Sequence, residues 1–194
     1  MNFNKLIEQF NHILILSGAG ISTDSGIPDF RGTNGLYNSR FYDYSPKDIL
    51  NRNFFNKKGS HKKIFWEYVI NNLIPNKNCT SNIAHTFAYD LYTKNRLEGV
   101  ITQNVDGLYF KTPLPKDKSL EIHGNASKAY CLKCKKTISI FNSVKSKKGN
   151  RLCPVCHSSL EPGIVLYGDF YSDKAIKQAM IWRENADLLI VMGT

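Results

Sequence analysis

Four of the five cysteines form two C-x-x-C pairs, Cys131 with Cys134 and Cys153 with Cys156, and eighteen residues separate the pairs. Four thiolates at this spacing can close a tetrahedral Zn²⁺ site that leaves no position for water, which is typical of a structural metal. A redox dithiol would need only one pair. The sequence therefore predicts a zinc module, and in zinc-finger peptides such binding supplies about 10–16 kcal/mol toward folding.

A glycine-rich turn, G-A-G at residues 18–20, follows the apolar run at 12–16. Glycine lets the backbone approach a ligand closely, and the free N–H groups of a helix that began after the turn would attract a pyrophosphate. The next glycine, Gly26, stands six residues further on, so the spacing departs from the G-x-G-x-x-G dinucleotide pattern. The turn by itself leaves nucleotide binding open.

Polar side chains follow two further predicted strands. Gln103, Asn104 and Asp106 come after the strand at 99–102, and His123 lies in the strand and turn at 120–124. Since ligands bind at the carboxyl ends of parallel strands, we expect these groups to converge. A histidine there can act as a general base, because imidazole exchanges protons near neutral pH. Taken alone, His123 fits a turn residue with no catalytic role better, whereas together with the other polar clusters it favours a catalytic role.

The elements that would position these groups alternate between strands and helices. Periodicity predicts helices at residues 3–10, 61–74, 82–95 and 172–185, with another beginning at 45–48, and strands at 12–16, 99–102, 120–124, 164–167 and 187–192. We expect the strands at 12–16 and 187–192 to be buried, because their apolar runs do not alternate with polar residues. This order predicts an α/β fold with a parallel sheet and right-handed crossovers.

The chain has 194 residues and a formal net charge of +10. Its lysines are spread through the sequence with a local cluster at 128–151, which favours a solvated basic surface over a nucleic-acid groove. No apolar run approaches the ~20 residues of a membrane span, and the first ten residues do not resemble a signal peptide. With cysteine pairs that suit a metal better than disulfides, we expect a cytoplasmic protein.

Several ordered motifs together resemble the sirtuins, the NAD-dependent protein deacylases. They are G-A-G-I-S with S-G-I-P-D-F-R at 18–31, T-Q-N-V-D-G-L at 102–108, H-G at 123–124, the double C-x-x-C, P-G-I-V-L-Y-G-D at 162–169 and M-G-T at 192–194. The resemblance implies a Rossmann-like parallel sheet with a small domain made of a helical insertion and a zinc-ribbon module. Residues 1–33, 82–124 and 161–194 would form the NAD-binding domain, 34–81 the helical insertion and 125–160 the zinc module.

The resemblance also implies roles for particular residues. His123 and Asn104 would be catalytic, and Val165 and Gly168 would pair with the substrate main chain. The cofactor-binding set would be Gly18, Ala19, Gly20, Asp29, Phe30, Arg31, Gln103, Asn104, Asp106, Gly193 and Thr194. Phe30 would shield the reacting ribose, and the four paired cysteines would hold a structural Zn²⁺.

The implied activity is NAD-dependent deacetylation of acyl-lysine in a protein or peptide, which releases nicotinamide and O-acyl-ADP-ribose, with no membrane partner. Two alternatives remain open at this point. The chain could be an NAD hydrolase or ADP-ribosyl-transferring homologue, or a non-catalytic zinc module that binds nucleic acid through its lysine cluster.

Three departures from the family pattern bear on these expectations. Tyr109 stands where a histidine is usual, and Asp169 stands where glutamate is usual. The family pattern also continues beyond G-T, whereas this sequence ends at Thr194 and has the pattern of a truncated sirtuin. We therefore expect the 194-residue form to bind NAD weakly or not at all, which calorimetric titration can check.

Overall fold

The structure, a computed structural model, describes residues 3–194, and side chains from Lys5 onward. Residues 1 and 2, which begin the predicted NAD-binding domain, lie outside the described residues. The strands are β1 (Ile13–Ser17), β2 (Leu97–Thr102), β3 (Ser119–Glu121), β4 (Gly124–Tyr130), β5 (Thr137–Ser139), β6 (Val144–Lys145), β7 (Arg151–Leu152), β8 (Glu161–Ile164) and β9 (Leu188–Met192). The helices are α1 (Phe3–Ile7), α2 (Pro46–Ile49), α3 (Arg52–Asn56), α4 (His61–Tyr68), α5 (Ile83–Thr93) and α6 (Asp173–Asn185).

The described chain divides into two compact units. The first contains residues 3–29, 78–123 and 171–194, and the second contains residues 30–77 and 124–170. Within residues 3–194, no helix is both long enough and apolar enough to cross a membrane.

A four-stranded parallel sheet with the order β3-β2-β1-β9 forms the centre of the first unit. The apolar run of β1 lies between β2 and β9, with Ile15 opposite Val100 on one side and Ile190 on the other. Ile13 and Ile15 have no exposed surface, as an interior strand of a parallel sheet requires. The predicted α/β fold with a parallel sheet is confirmed.

Helices α5 and α6 both pack against β2 in the first unit. Gly99 of β2 lies under the indole of Trp182 in α6, where a Cβ atom would be 2.5 Å from the ring. Ala88 and Leu91 of α5 join the core formed by β1 and β2. Asn82 begins α5 by accepting a hydrogen bond from the Ala84 N–H, which satisfies a donor that the first helical turn leaves free.

Three predicted elements differ from the observed ones. Strand β9 has the predicted position but is not buried, since Leu189 and Val191 are about half exposed at the edge of the described sheet. The helix predicted over 61–74 ends as α4 at Tyr68 and continues as a π-type turn. Strand β8 ends at Ile164, so 165–167 are not a strand, because residue 167 pairs only through an isolated bridge to Asn51.

The second unit combines short helices with antiparallel strands. Helix α2 begins as predicted after Ser45, whose side chain accepts a hydrogen bond from the Asp48 N–H. In the core of the second unit, the aromatic rings of Phe55, Phe65 and Trp66 pack edge-to-face on one another. Strands β5-β4-β8 form one antiparallel sheet, and β6 and β7 form a separate two-stranded ribbon.

Candidate active site and metal centre

The glycine turn after β1 packs against the chain that leaves β9. The Gly20 N–H donates to the Gly193 carbonyl at 2.8 Å, and the Gly18 N–H donates to the Met192 carbonyl at 2.9 Å. A Cβ atom on Gly18 would lie 2.6 Å from the Gly193 oxygen, and one on Gly193 would lie 2.4 Å from the Ile21 nitrogen. Gly193 also has a φ of 61°, which disfavours other residues. These glycines are therefore required for the two strand ends to meet, whether or not a ligand is present.

A tight 3₁₀ segment over Ala19–Ser25 follows the turn, in place of the α-helix that phosphate binding at a helix end would use. It buries Ser22, which becomes the centre of a polar cluster. The Asn104 amide donates to the Ser22 Oγ and to the Gly18 carbonyl, each at 3.1 Å. Ser22 in turn donates to the Asp106 Oδ2 at 2.7 Å.

This cluster joins the glycine turn to the polar residues that follow β2. Asn104 is 5% exposed and its N–H donates to the Thr102 hydroxyl, so both its main chain and its amide are held in place. Asp106 accepts a second hydrogen bond from the Leu108 N–H at 2.9 Å. Ser22 was not among the predicted site residues, although it is the serine of the G-A-G-I-S motif. A hydroxyl shortly after a glycine turn is a signal that could have identified it.

His123 follows β3 at the same sheet edge, and its environment determines which nitrogen carries the proton. Its Nδ1 lies 2.8 Å from the Gln103 carbonyl oxygen, which can only accept, so Nδ1 carries the hydrogen. In the neutral ring the Nε2 atom is then an acceptor and can take up a proton. The Tyr171 hydroxyl lies 3.2 Å from Nε2, and its ring stacks on the imidazole at 5.7 Å between centroids.

Gln103 links three strand ends through its main chain. Its N–H donates to the Ser17 carbonyl at the end of β1, and its carbonyl accepts from His123. Because β1, β2, β3 and β9 are parallel, the residues that follow them emerge at one edge of the sheet. The structure thus brings together, within the first unit, eight predicted residues: Gly18, Ala19, Gly20, Gln103, Asn104, Asp106, His123 and Gly193. Thr194 follows Gly193 at this edge, and Asp29 ends the unit's first segment.

Tyr109, which replaces the usual histidine, lies in the core behind this edge. It is 3% exposed and packs edge-to-face on the buried ring of His85, with 5.1 Å between centroids. Burial raises the pKa of Tyr109 to about 12. Burial also lowers the pKa of His85, and the nearby Asp106 charge offsets that effect only in part. Both rings are therefore neutral near pH 7, so neither places a positive charge near Asp106.

Phe30 and Arg31 belong to the second unit and begin its first segment. The Phe30 ring packs on Tyr37 with 5.2 Å between centroids, and the Tyr37 N–H donates to the Phe30 carbonyl. Gly35 allows this loop to close, because a Cβ atom there would lie 2.7 Å from the Arg31 nitrogen. The Tyr37 hydroxyl lies 2.7 Å from the Tyr167 hydroxyl, which connects the loop to residues 165–169.

Val165 and Gly168 lie on either side of Tyr167 in the second unit, in a segment that hydrogen bonds to residues 50 and 52 hold in place. The Tyr167 N–H donates to the Leu50 carbonyl, and the Tyr167 carbonyl accepts from the Arg52 N–H. Gly168 has a φ of 93°, which glycine adopts without strain. A segment that follows directly on a strand is suited to pairing with another extended chain.

Asp169 forms a forked ion pair that anchors the same segment. Arg52 Nε and Nη2 donate to its two carboxylate oxygens at 2.7 and 2.8 Å, and Arg52 Nη1 donates to Glu161 at 2.7 Å. Burial alone would raise the pKa of Asp169, but the hydrogen bonds from Arg52 and from the Leu166 N–H outweigh it, so the pKa lies below its ordinary value of 3.8. The shorter carboxylate that replaces glutamate is therefore a structural anchor.

We expect Arg52→Gln to lower the free energy of unfolding by about 1–2 kcal/mol at pH 7, since three charge-assisted hydrogen bonds, to Asp169 and Glu161, are lost from a partly exposed site. A depressed carboxyl pKa contributes stability that is complete above 3.8 and is lost as the pH falls through the lower folded-state value. The difference between variant and wild type should thus be constant from pH 7 to about 5 and shrink below 3.8. Urea unfolding at each pH, with the exposed Lys57→Gln as control, measures it. A difference that grows on acidification would contradict the assignment.

The four paired cysteines converge in the second unit. Their Sγ atoms all lie within 4.8 Å of one another, with 3.4 Å between Cys131 and Cys156 and 3.6 Å between Cys134 and Cys153. A tetrahedron with Zn–S bonds of about 2.3 Å separates its sulfurs by about 3.8 Å, so the thiols fit zinc. None of these cysteines forms a disulfide. The fifth, Cys79, is buried in the first unit and is not part of this cluster.

Comparisons with known proteins point to one family. Residues 18–194 match the model of the Sir2 family. The chain is 34% identical to an NAD-dependent protein deacetylase of Thermotoga maritima over 194 residues, which are 99% of this chain and 75% of that protein. It is also 34% identical to one of Clostridium tetani over 195 residues, or 100% of this chain and 76% of that protein.

Solved structures of Sir2 proteins have the same fold. A Sir2 protein with a p53 peptide and NAD⁺ superposes with a TM-score of 0.80 and 32% identity, over 99% of this chain and 74% of that one. Sir2Tm bound to a propionylated peptide gives a TM-score of 0.79 and 31% identity over the same shares. The extent of these matches and the order of the motifs lead to one conclusion: the chain belongs to the Sir2 family, the sirtuins.

Proposed function

We propose that this protein is an NAD-dependent protein-lysine deacetylase that transfers the acyl group to ADP-ribose. The observation that carries the proposal is His123, whose Nε2 is available to accept a proton at the sheet edge where the glycine turn and the Asn104–Ser22–Asp106 cluster also lie. Its relatives named as NAD-dependent protein deacetylases support the same activity. The protein is an enzyme with NAD and Zn²⁺ as cofactors.

The donor set of the first unit fits NAD. The turn at 18–20 carries no bulky side chain, so a phosphate can approach its main chain closely, although the Gly18 and Gly20 N–H groups already donate to the Met192 and Gly193 carbonyls. The amide, hydroxyl and carboxylate of Asn104, Ser22 and Asp106 can form hydrogen bonds with ribose hydroxyls or a carboxamide. We assign cofactor binding to these residues, to Ala19, Gln103, Gly193 and Thr194, and to Asp29, Phe30 and Arg31.

When bound, NAD supplies a ribose carbon that becomes electrophilic as nicotinamide leaves. The residues of this chain bind and orient the cofactor and the substrate, and one of them transfers a proton. In the proposed roles, Asn104 positions the reacting ribose, and Phe30 excludes water. His123 Nε2 takes the proton from a ribose hydroxyl, while the Gln103 carbonyl stabilises the resulting imidazolium through Nδ1–H.

The acyl-lysine segment of the substrate is proposed to pair with Val165 and Gly168. Their place in the segment directly after β8 supports binding by strand addition, in which main-chain hydrogen bonds supply affinity with little dependence on sequence. The two solved relatives bind peptides, as this mode of recognition requires. The Arg52–Asp169 pair would act indirectly, by holding this segment in position.

One assay tests the function. The protein is incubated with NAD, with and without an acetyl-lysine peptide, and free nicotinamide and deacetylated peptide are measured together. With NAD at a concentration that compensates for the weak binding expected of the 194-residue form, we expect the two products to appear in equal amounts and only when peptide is present. Nicotinamide release that does not depend on peptide would instead identify an NAD hydrolase.

We also propose a cytoplasmic location, since four thiols arranged for zinc and not for disulfides suit a reducing compartment. Cell fractionation with an antibody against the protein tests this, and recovery outside the cytoplasmic fraction would contradict it.

A further inference from the structure

A basic pocket lies in the second unit, and neither the proposed chemistry nor the zinc centre uses it. Its volume is about 600 Å³, which is within the usual range for small-molecule sites. The lining includes three cations, Arg40, Lys145 and Arg151, and one carboxylate, Glu67, together with the aromatic rings of Phe41 and Tyr42.

Two of the cations face each other in an arrangement that costs stability unless an anion is present. Lys145 of β6 is directly opposite Arg151 of β7 in the two-stranded ribbon, and like charges in such cross-strand positions repel. The carboxylate of Glu67 lies 3.9 Å from the ammonium of Lys145, near the upper limit for an ion pair. With three cations and one carboxylate in its lining, the pocket has a net positive charge.

Arg151 supplies a second, independent indication. Its Nε atom is buried and has no hydrogen-bond partner among the described residues. An unpaired buried N–H costs stability, and because this Nε has almost no accessible surface, a ligand in the pocket would pair with it only after the Arg151 side chain shifts. A phosphate or carboxylate oxygen can accept from a guanidinium edge in the geometry that arginine favours.

The aromatic side of the pocket indicates what else the ligand carries. Tyr42 is 58% exposed, and its φ of 49° places it in the left-handed region, which is unfavourable for a bulky residue. Its ring packs edge-to-face on Phe41 at 5.0 Å, and its hydroxyl donates to Glu67 at 3.3 Å. Exposed rings next to cations are the surfaces on which nucleobases stack while their phosphates are neutralised.

We propose that this pocket binds a nucleoside phosphate, with the phosphate between Lys145 and Arg151 and the base against Tyr42. Arg40, whose Nη1 donates to the Asp43 carbonyl, adds a third positive charge to the pocket lining. The pocket lining includes none of the NAD-binding residues proposed above, and the proposal does not depend on the deacetylase assignment.

Calorimetric titration with GMP tests the proposal, using guanosine and inorganic phosphate as the two partial ligands. We expect GMP to bind at least tenfold more tightly than either, since the phosphate and the base each contribute contacts. Guanosine or phosphate binding as tightly as GMP would overturn the proposal.

Variants locate the binding. Lys145→Gln and Arg151→Gln should each weaken GMP binding about tenfold or more, whereas Lys147→Gln, in the same ribbon turn but outside the pocket lining, should not. Asn104→Ala, in the first unit, should also leave GMP binding unchanged. Equal losses in the Lys147 variant would indicate general surface charge, and a loss confined to Asn104→Ala would indicate the NAD-binding residues; either result overturns the proposal.

Thermal unfolding shows whether a variant has lost GMP binding or has lost its folded structure. Without ligand, Lys145→Gln should have a Tm equal to or above that of the wild type, because the repulsion with Arg151 is removed. GMP should raise the Tm of the wild type and of Lys147→Gln but not that of Lys145→Gln. A Lys145→Gln variant that is less stable without ligand and is still stabilised by GMP would show that Lys145 serves the fold only.

Discussion

Replacing His123 by alanine is expected to lower kcat/KM for deacetylation by about 10²- to 10⁴-fold, the usual contribution of a positioned general base. The structure leaves Nε2 as the only ring nitrogen able to accept a proton, because Nδ1 donates to the Gln103 carbonyl. Nicotinamide release should be affected much less, since it precedes the step in which the ribose hydroxyl is deprotonated. Stopped assays of nicotinamide and of deacetylated peptide, run on the same samples, measure both effects.

Tyr171→Phe is the matched control, because it removes the hydroxyl 3.2 Å from His123 Nε2 and keeps the stacked ring. We expect at most a few-fold change in kcat/KM, with the acidic limb of the pH profile as the most sensitive reading. Two outcomes would contradict the proposed role of His123 as a base that acts after nicotinamide leaves. One is an equal loss of both products in His123→Ala, and the other is unchanged deacetylation.

The second large effect is expected from the loss of zinc. Cys153→Ser removes one of four ligands from a buried position, and the resulting protein should contain little zinc and lose several kcal/mol of unfolding free energy from the second unit. Metal content by mass spectrometry and circular dichroism during thermal unfolding measure the two changes. Incubation of the wild type with a strong chelator should reproduce them.

Cys79→Ala serves as control, since this thiol is equally buried but lies outside the four-cysteine cluster. It should keep about one zinc per chain and lose only the packing energy of a small side chain. A Cys153→Ser protein that unfolds at the wild-type temperature without zinc would show that the module folds without its metal.

The sequence by itself determined the features that depend on residue type and short-range spacing. The C-x-x-C pairs indicated the metal site because four thiols at short intervals can close a tetrahedron, and the four sulfurs lie within 4.8 Å of one another. The apolar run of β1 predicted an interior parallel strand, and Ser45 predicted the start of α2, because both signals act within a few residues of the chain. The ordered motifs likewise identified the family.

Only the tertiary structure decided the features that depend on distant segments meeting. The glycines at 18–20 suggested a phosphate turn, yet their tightest requirement is the approach of Gly193, which is more than 170 residues away. The proton on His123 is assigned by the carbonyl of residue 103, and Ser22 enters the site through Asn104 and Asp106. Lys145 and Arg151 become a charged pair only because β6 and β7 align them. Side-chain chemistry is local, whereas partners, burial and proton positions are set by packing across the whole chain.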